Sequence, residues 1–120
     1  MIRTLDENDL DAFIRIRRDS LNQDPRLFGA SPNAPIPREE TRMQLKAHSK
    51  ENFILGYFER RELVGMLGFV RHKNEKKRHK GYVWGVFVYD VHRGKGIGSK
   101  LLQECIDRVV ALLKLRQFII

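Results

Sequence analysis

The chain has 120 residues, of which 23 are lysine or arginine and 15 are aspartate or glutamate, so its formal net charge is +8. Hydrophobic residues make up 42% and charged residues 32%, a balance typical of a globular domain rather than a disordered segment. No apolar run is long enough to span a bilayer, and the first residues form no apolar signal segment. A membrane protein and a secreted precursor are therefore not expected. The single cysteine, Cys105, excludes an intrachain disulfide and predicts a cytoplasmic location.

Much of the positive charge lies in one stretch, residues 71–80, which we call the basic segment. It carries six basic residues and one acid. A run of this kind is typical of a solvated loop. Because no aromatic residue interrupts it, it lacks the base-stacking side chains of single-strand binders. A basic nucleic-acid-binding module is therefore a remote alternative.

The N-terminal third is predicted to form a strand and two helices. Residues 2–5 are the strand, and Asp6, followed by Asp9 three positions later, predicts a capped helix start. The predicted apolar stripe of this helix consists of Leu10, Phe13, Ile14, Arg17 and Leu21. Three prolines within residues 31–37 exclude a helix or central strand there, and a second helix is predicted beyond them, to about residue 49.

Three strands are predicted next, at residues 53–58, 63–70 and 81–89. The charged residues 59–62 are the hairpin turn between the first two. The second and third strands are apolar along both faces, as expected where helices cover both sides of a sheet. Gly65, Gly68 and Gly85 lie inside them, and since glycine weakens a strand, these positions predict bulges or close backbone approaches.

A glycine-dense turn at residues 93–98 then precedes an amphipathic helix, and residues 115–120 open a further strand. The order β-α-α-β-β-β-α-β, without repeats or a linker, predicts one domain, residues 1–120, of the α/β (α+β) class. Such a turn suits an anion, because glycine allows close backbone approach and the helix start offers free amides and a positive dipole end. The nucleotide P-loop and the dinucleotide fingerprint both fail, because each needs a glycine at Ser99.

The turn reads RGKGIG. It resembles the acyl-CoA pyrophosphate loop of the GNAT superfamily of N-acetyltransferases, whose pattern is Gln or Arg, two residues, Gly, one residue, and Gly or Ala. The element order is similar to that family along the whole chain. The resemblance implies a mixed, largely antiparallel sheet flanked by helices. It also implies acetyl transfer from acetyl-CoA to the primary amine of a small-molecule or peptide acceptor.

The resemblance further implies which residues bind the cofactor. Loop amides would hold the pyrophosphate, the strand before the loop would pair with the pantetheine arm, and an amide near residue 88 would contact the oxyanion. The expected cofactor-binding residues are Phe87, Val88, Arg93, Gly94, Lys95, Gly96, Ile97, Gly98 and Ser99. Lys95, Lys100 or Arg93 would meet the ribose phosphate, or would simply face solvent.

The general base is left open. The family often places a glutamate on the strand equivalent to residues 81–89, which contains no carboxylate here. Tyr82, Glu59 or a water are alternatives, so no catalytic residue is assigned. Residues 28–37 either shape the acceptor site or form a plain surface loop. The histidines and Cys105 lack metal-ligand spacing, so no metal is expected, and Cys105 is predicted to be a buried hydrophobe.

Compared with the family pattern, the chain is expected to stop inside the strand that follows the cofactor helix, without the last elements of the fold. Two expectations follow. The chain is either an active enzyme or an acyl-CoA-binding but catalytically deficient fragment. Its apolar last residues predict an exposed sheet edge, and hence a homodimer, possibly strand-swapped.

Overall fold

The computed structural model describes residues 1–23, 36–71, 80–113 and 117–119. The elements are β1 (Ile2–Thr4), α1 (Leu10–Gln23), α2 (Arg38–Lys46), β2 (Asn52–Glu59), β3 (Glu62–Arg71), β4 (Lys80–Val88), α3 (Ile97–Leu113) and β5 (Gln117–Ile119). This order confirms the predicted β-α-α-β-β-β-α-β sequence. Most of the loop predicted at 28–37 and most of the basic segment lie outside the described residues.

The strands form one sheet in the order β1-β2-β3-β4-β5. The first four are antiparallel, whereas β5 runs parallel to β4, and its described residues pair with Lys80 to Tyr82. A parallel pair needs a crossover connection, and α3 supplies it. The fold class is therefore confirmed as a mixed, largely antiparallel sheet flanked by helices.

Helices cover both faces of this sheet. On one face α3 packs on a buried cluster that includes Phe53, Leu55, Leu67, Leu101 and Cys105. On the other face α1 and α2 enclose a second cluster that includes Phe13, Ile16, Leu45, Met66 and Phe87. β3 is buried from Leu63 to Phe69, as predicted for a strand covered on both sides. β4 instead alternates between buried and half-buried residues, so it is less fully covered than the predicted strand with two apolar faces.

The start of the first helical segment is capped as predicted. The Asp6 carboxylate accepts from the Asn8 amide at 2.9 Å, and the Asp9 carboxylate accepts from the Asp6 amide at 2.9 Å. The predicted stripe of α1 is partly wrong, since Ile16 is fully buried and Arg17 only half-buried. Arg17 has an apolar stem and follows Phe13 by four residues, so spacing alone places it on the apolar face of the helix.

β4 contains a bulge at Gly85, as the glycines predicted. Met66 pairs with Phe87 and Gly68 pairs with Trp84, so β4 uses one more residue than β3 between these pairs. Gly85 has a φ of 62°, in the left-handed region that glycine tolerates. Gly68 provides the predicted close approach, because a Cβ there would lie 2.1 Å from the Trp84 ring.

Candidate functional site

A short 3₁₀ turn at Asp90–His92 joins β4 to residues 93–99, which we call the glycine loop. Gly94 has a φ of 83° and Gly96 a φ of 76°. Both lie in the left-handed region, which other residues enter at a cost of about 1–2 kcal/mol. These two glycines let the chain turn sharply and enter α3 at Ile97, whose side chain is buried while the surrounding loop is exposed.

The first backbone amides of α3 have no helical partner, and the space around the loop glycines is open. The Lys100 amide donates to the Gly96 carbonyl at 3.0 Å, so the amides before it have no helical carbonyl to reach. A Cβ built on Gly94, Gly96 or Gly98 would meet no atom within 4 Å. Free amides, the positive dipole end and room for a ligand fit a phosphate group. The residues present therefore fit the diphosphate of an acyl-CoA.

The edge of β4 that faces β5 is open over most of its length. Among the described residues, positions 83–88 have no strand partner on that side. The Tyr89 amide donates to the Val64 carbonyl at 3.1 Å, and antiparallel pairs alternate between bonded and non-bonded. The next pair, Gly65 with Val88, is therefore non-bonded, so the backbone groups of Val88 point to the open edge. This edge ends at Val88, and the 3₁₀ turn at Asp90–His92 connects it to the glycine loop.

The Arg93 side chain contacts the end of β4 and its neighbours within the protein. Its Nε donates to the Val88 carbonyl at 3.0 Å, one terminal nitrogen lies 2.6 Å from Asp90 Oδ1, and the other donates to Gln23 Oε1 at 3.2 Å. The guanidinium carbon also lies 5.9 Å from the Phe87 ring centre. Arg93 thus connects β4, the 3₁₀ turn and the end of α1.

Lys95 lies in a cluster with two residues that sequence analysis did not connect to it. Its Nζ is 3.4 Å from Glu59 Oε2, and His92 Nδ1 is 3.0 Å from the same oxygen. The Lys95 Nζ and His92 Nδ1 are 3.2 Å apart. Lys100 and Ser99 are both exposed at the start of α3. Of the basic residues considered for the ribose phosphate, Lys95 and Arg93 therefore both have carboxylate partners within the protein.

A cavity of about 330 Å³ lies beside the loop, on the α1 face of the sheet. Its lining residues are Arg15, Asp19, Gln23, Glu62, Tyr89, Asp90, Val91 and His92. The Tyr89 hydroxyl donates to Asp19 Oδ2 at 2.5 Å. Burial and the Asp19 charge hold the pKa of Tyr89 well above its usual value, so this hydroxyl keeps its proton. No local pattern pairs these two residues, which lie 70 positions apart.

The other candidate residues have plainer surroundings. Tyr82 is half-buried on β4, and Glu59 is occupied by His92 and Lys95. Cys105 is fully buried, and burial raises the pKa of its thiol to about 11.

Within the described part of the chain, no three His, Cys, Asp or Glu side chains lie close enough together to bind a metal ion. In that same part, no helix is long and apolar enough to cross a membrane. A second cavity, of about 500 Å³, lies at the β1 side between Thr4, Phe53 and Arg108.

A family model described as the acetyltransferase (GNAT) family matches residues 14–118, which is most of the chain and includes the glycine loop. The protein belongs to the GNAT acetyltransferase family. This membership confirms the resemblance drawn from the RGKGIG turn and places this GNAT protein among enzymes of the acyltransferase class. The family uses acetyl-CoA as its acyl donor. No curated protein matches the sequence of this GNAT protein significantly.

Solved structures share the fold of this GNAT protein. A GNAT-family acetyltransferase from Streptococcus pneumoniae superposes with a TM-score of 0.79 and 22% identity, over 96% of this chain and 69% of its own. The ribosomal-protein-alanine N-acetyltransferase of Brucella melitensis biovar Abortus superposes with a TM-score of 0.73 and 19% identity. The match covers 99% of this chain and 76% of the chain of that enzyme. A protein from Clostridium acetobutylicum, described as a predicted acetyltransferase and solved with acetyl-CoA, superposes with a TM-score of 0.73 and 19% identity. The match covers 98% of this chain and 77% of that protein's chain.

Proposed function

We propose that this protein transfers an acetyl group from acetyl-CoA to a primary amine. The observation that carries the proposal is the adjacency of two features, the free amides at the start of α3 and the open edge of β4. The amides suit an anionic diphosphate. The open edge suits the amide-containing pantetheine arm, which can pair with a strand edge as an extended peptide does. The family's use of acetyl-CoA supports this assignment.

Acetyl-CoA, when bound, supplies an activated thioester. The chain's own contribution is to bind and orient it. The glycine loop would hold the diphosphate through backbone amides, and the Val88 backbone, which faces the open edge, would donate its N–H to the thioester carbonyl oxygen. A fixed amide at that position stabilises the negative charge that grows on the oxygen during attack. The Val88 carbonyl already accepts from Arg93 Nε, which holds this part of the edge in place.

The reaction needs two proton movements. The amine nitrogen forms a bond to the acetyl carbon and loses a proton, while the carbon–sulfur bond breaks and the sulfur gains one. Glu59 is a poor candidate for the base, because His92 and Lys95 already contact its carboxylate. Tyr82 lies six positions before Val88 along β4, about 20 Å away at about 3.3 Å per residue, which is too far for a base, so a water remains. The proposal therefore rests on binding and orientation by the glycine loop and β4.

The test is isothermal calorimetry with CoA on the wild type and on Gly96→Glu, which places a carboxylate among the loop amides. The matched control is Val110→Glu, which adds the same charge at an exposed position near the far end of α3. We expect the wild type and the control to bind CoA and Gly96→Glu to lose binding. Absence of binding by the wild type, or equal binding by Gly96→Glu, would overturn the proposal.

Thiol release from acetyl-CoA in the presence of a panel of primary amines then separates the two alternatives. Amine-dependent release identifies an active enzyme, whereas binding without release identifies an acyl-CoA-binding but catalytically deficient protein. We also propose a cytoplasmic location, which the single cysteine favours. The homodimer stays a prediction, to be checked by light scattering.

A further inference from the structure

Lys95 combines two positions that matter for an incoming anion. Its backbone is part of the glycine loop, between two glycines with left-handed φ, while its ammonium reaches across to β2. The Lys95 side chain is 50% exposed and its Nζ is 3.4 Å from Glu59 Oε2, a long distance for an ion pair. Exposed pairs of this kind contribute about 0–1 kcal/mol. The ammonium can therefore leave Glu59 at little cost.

His92 changes what happens to Glu59 when the lysine leaves. His92 Nδ1 lies 3.0 Å from the same Oε2, closer than Lys95, and its side chain is only 21% exposed. It stands one residue before Arg93, at the end of the 3₁₀ turn that Arg93 clamps to Asp90. Without Lys95, Glu59 still has the His92 ring nitrogen 3.0 Å from its Oε2, so the departure of Lys95 leaves a polar group beside this half-buried carboxylate.

The hairpin fixes the position of Glu59. Glu59 pairs with Glu62 across the last rung of β2 and β3, and the two turn residues between them, Arg60 and Arg61, have φ values of 50° and 67°. That is the two-residue turn that matches the twist of a hairpin. A carboxylate at the end of such a turn has little backbone freedom, and it stands beside the loop where a phosphate would bind.

We propose that Glu59 and His92 form a holding site for Lys95, from which the ammonium passes to a phosphate group of the acyl-CoA. Glu59 is then a positioning residue of the phosphate subsite, and this inference rests on the proposed function. In the free protein the carboxylate neutralises Lys95. On binding, the ammonium exchanges the carboxylate oxygen for a phosphate oxygen, and Glu59 remains with His92. Removal of the Glu59 charge therefore strengthens CoA binding, but only while Lys95 is present.

The experiment is a double-mutant cycle in CoA affinity, measured by calorimetry on the wild type, Glu59→Gln, Lys95→Met and the double variant. We expect Glu59→Gln to bind CoA about threefold tighter, which corresponds to about 0.6 kcal/mol. Lys95→Met should bind about fivefold weaker, and the double variant should match Lys95→Met. Pantetheine, which has no phosphate, should bind all four proteins equally.

The matched control is Glu62→Gln, which removes the same charge from the same hairpin at a carboxylate paired with Arg15 instead of Lys95. An unchanged CoA affinity in this control supports exchange at Lys95. A gain equal to that of Glu59→Gln, or a gain that persists without Lys95, would overturn the inference in favour of a general charge effect. An unchanged Glu59→Gln in a protein that binds CoA overturns the inference alone. A wild type that does not bind CoA overturns the proposed function with it.

Discussion

Replacing Gly96 by alanine tests the role of the glycine loop without adding charge. The φ of Gly96 is 76°, and a Cβ there would meet no atom within 4 Å. The substitution therefore causes no clash, and its effect comes only from backbone strain. An L-residue in the left-handed region costs about 1–2 kcal/mol relative to glycine.

This strain predicts a measurable loss of CoA affinity. If the alanine variant relaxes the loop in the free state, it must regain the left-handed conformation on binding. A cost of about 1–2 kcal/mol then weakens binding about 5- to 30-fold, since about 1.4 kcal/mol corresponds to a factor of ten. If the loop does not relax, the same cost appears as a lower free energy of unfolding. The two losses together should therefore total about 1–2 kcal/mol.

Gly98→Ala is the matched control. Gly98 has no left-handed φ, lies in the first turn of α3, and would also place its Cβ in open space. The GNAT pattern accepts alanine at this position, and alanine stabilises a helix by about 0.5–1 kcal/mol relative to glycine. The assay is calorimetry with CoA together with thermal melting of both variants. A Gly96→Ala variant that binds and melts like the wild type would refute the reasoning.

Three further outcomes are expected. Gly68→Ala should lower the free energy of unfolding by about 1–3 kcal/mol in urea titrations, because its Cβ would lie 2.1 Å from the Trp84 ring. Asp9→Asn should destabilise by about 1–2 kcal/mol, because Arg3 contacts both Asp9 oxygens at 2.7 Å and the Asp6 amide donates to one of them. Arg3 holds the pKa of Asp9 below its usual value. The difference in free energy of unfolding between the wild type and Asp9→Asn should therefore be largest at neutral pH and shrink as the pH falls through that lowered pKa. Cys105 should react with a thiol reagent only after unfolding, because burial raises its pKa to about 11.

A specific result would contradict each of these three expectations. Wild-type stability in Gly68→Ala would show that the Trp84 ring moves aside freely. A stability difference for Asp9→Asn that grows towards acid pH would have the wrong sign for a carboxyl with a lowered pKa. Stoichiometric labelling of Cys105 in the folded protein would contradict its burial between α3 and the sheet.

The parts of the fold that could be predicted are those set by short-range patterns. The cap joins Asp6 and Asp9, which lie three positions apart, and the glycine loop runs from the turn after β4 into the first turn of α3. The bulge at Gly85 was also predictable, because glycine inside an apolar strand has few other reasons to be there. Spacing failed at Ile16 and Arg17, where two overlapping helical stripes fit the sequence equally well.

The parts that could not be predicted depend on topology. Lys95 meets Glu59 across 36 positions, and Tyr89 meets Asp19 across 70. Each contact exists because the β2–β3 turn and the end of α1 lie beside the carboxyl end of β4, and no local pattern encodes that placement. The family resemblance pointed to residues 93–99 as the cofactor loop, a role that stays a prediction, and it gave no indication that Arg93 and Lys95 have partners within the protein.

The most direct test of the account is a titration of the ¹⁵N-labelled protein with CoA, followed by amide chemical shifts. If the glycine loop binds the diphosphate and the β4 edge binds the pantetheine arm, the amides of Ile97, Gly98 and Ser99 should shift together with that of Val88. Pantetheine alone should shift Val88 and leave the loop amides unchanged. CoA-induced shifts confined to other parts of the protein, with these four amides unmoved, would contradict the account.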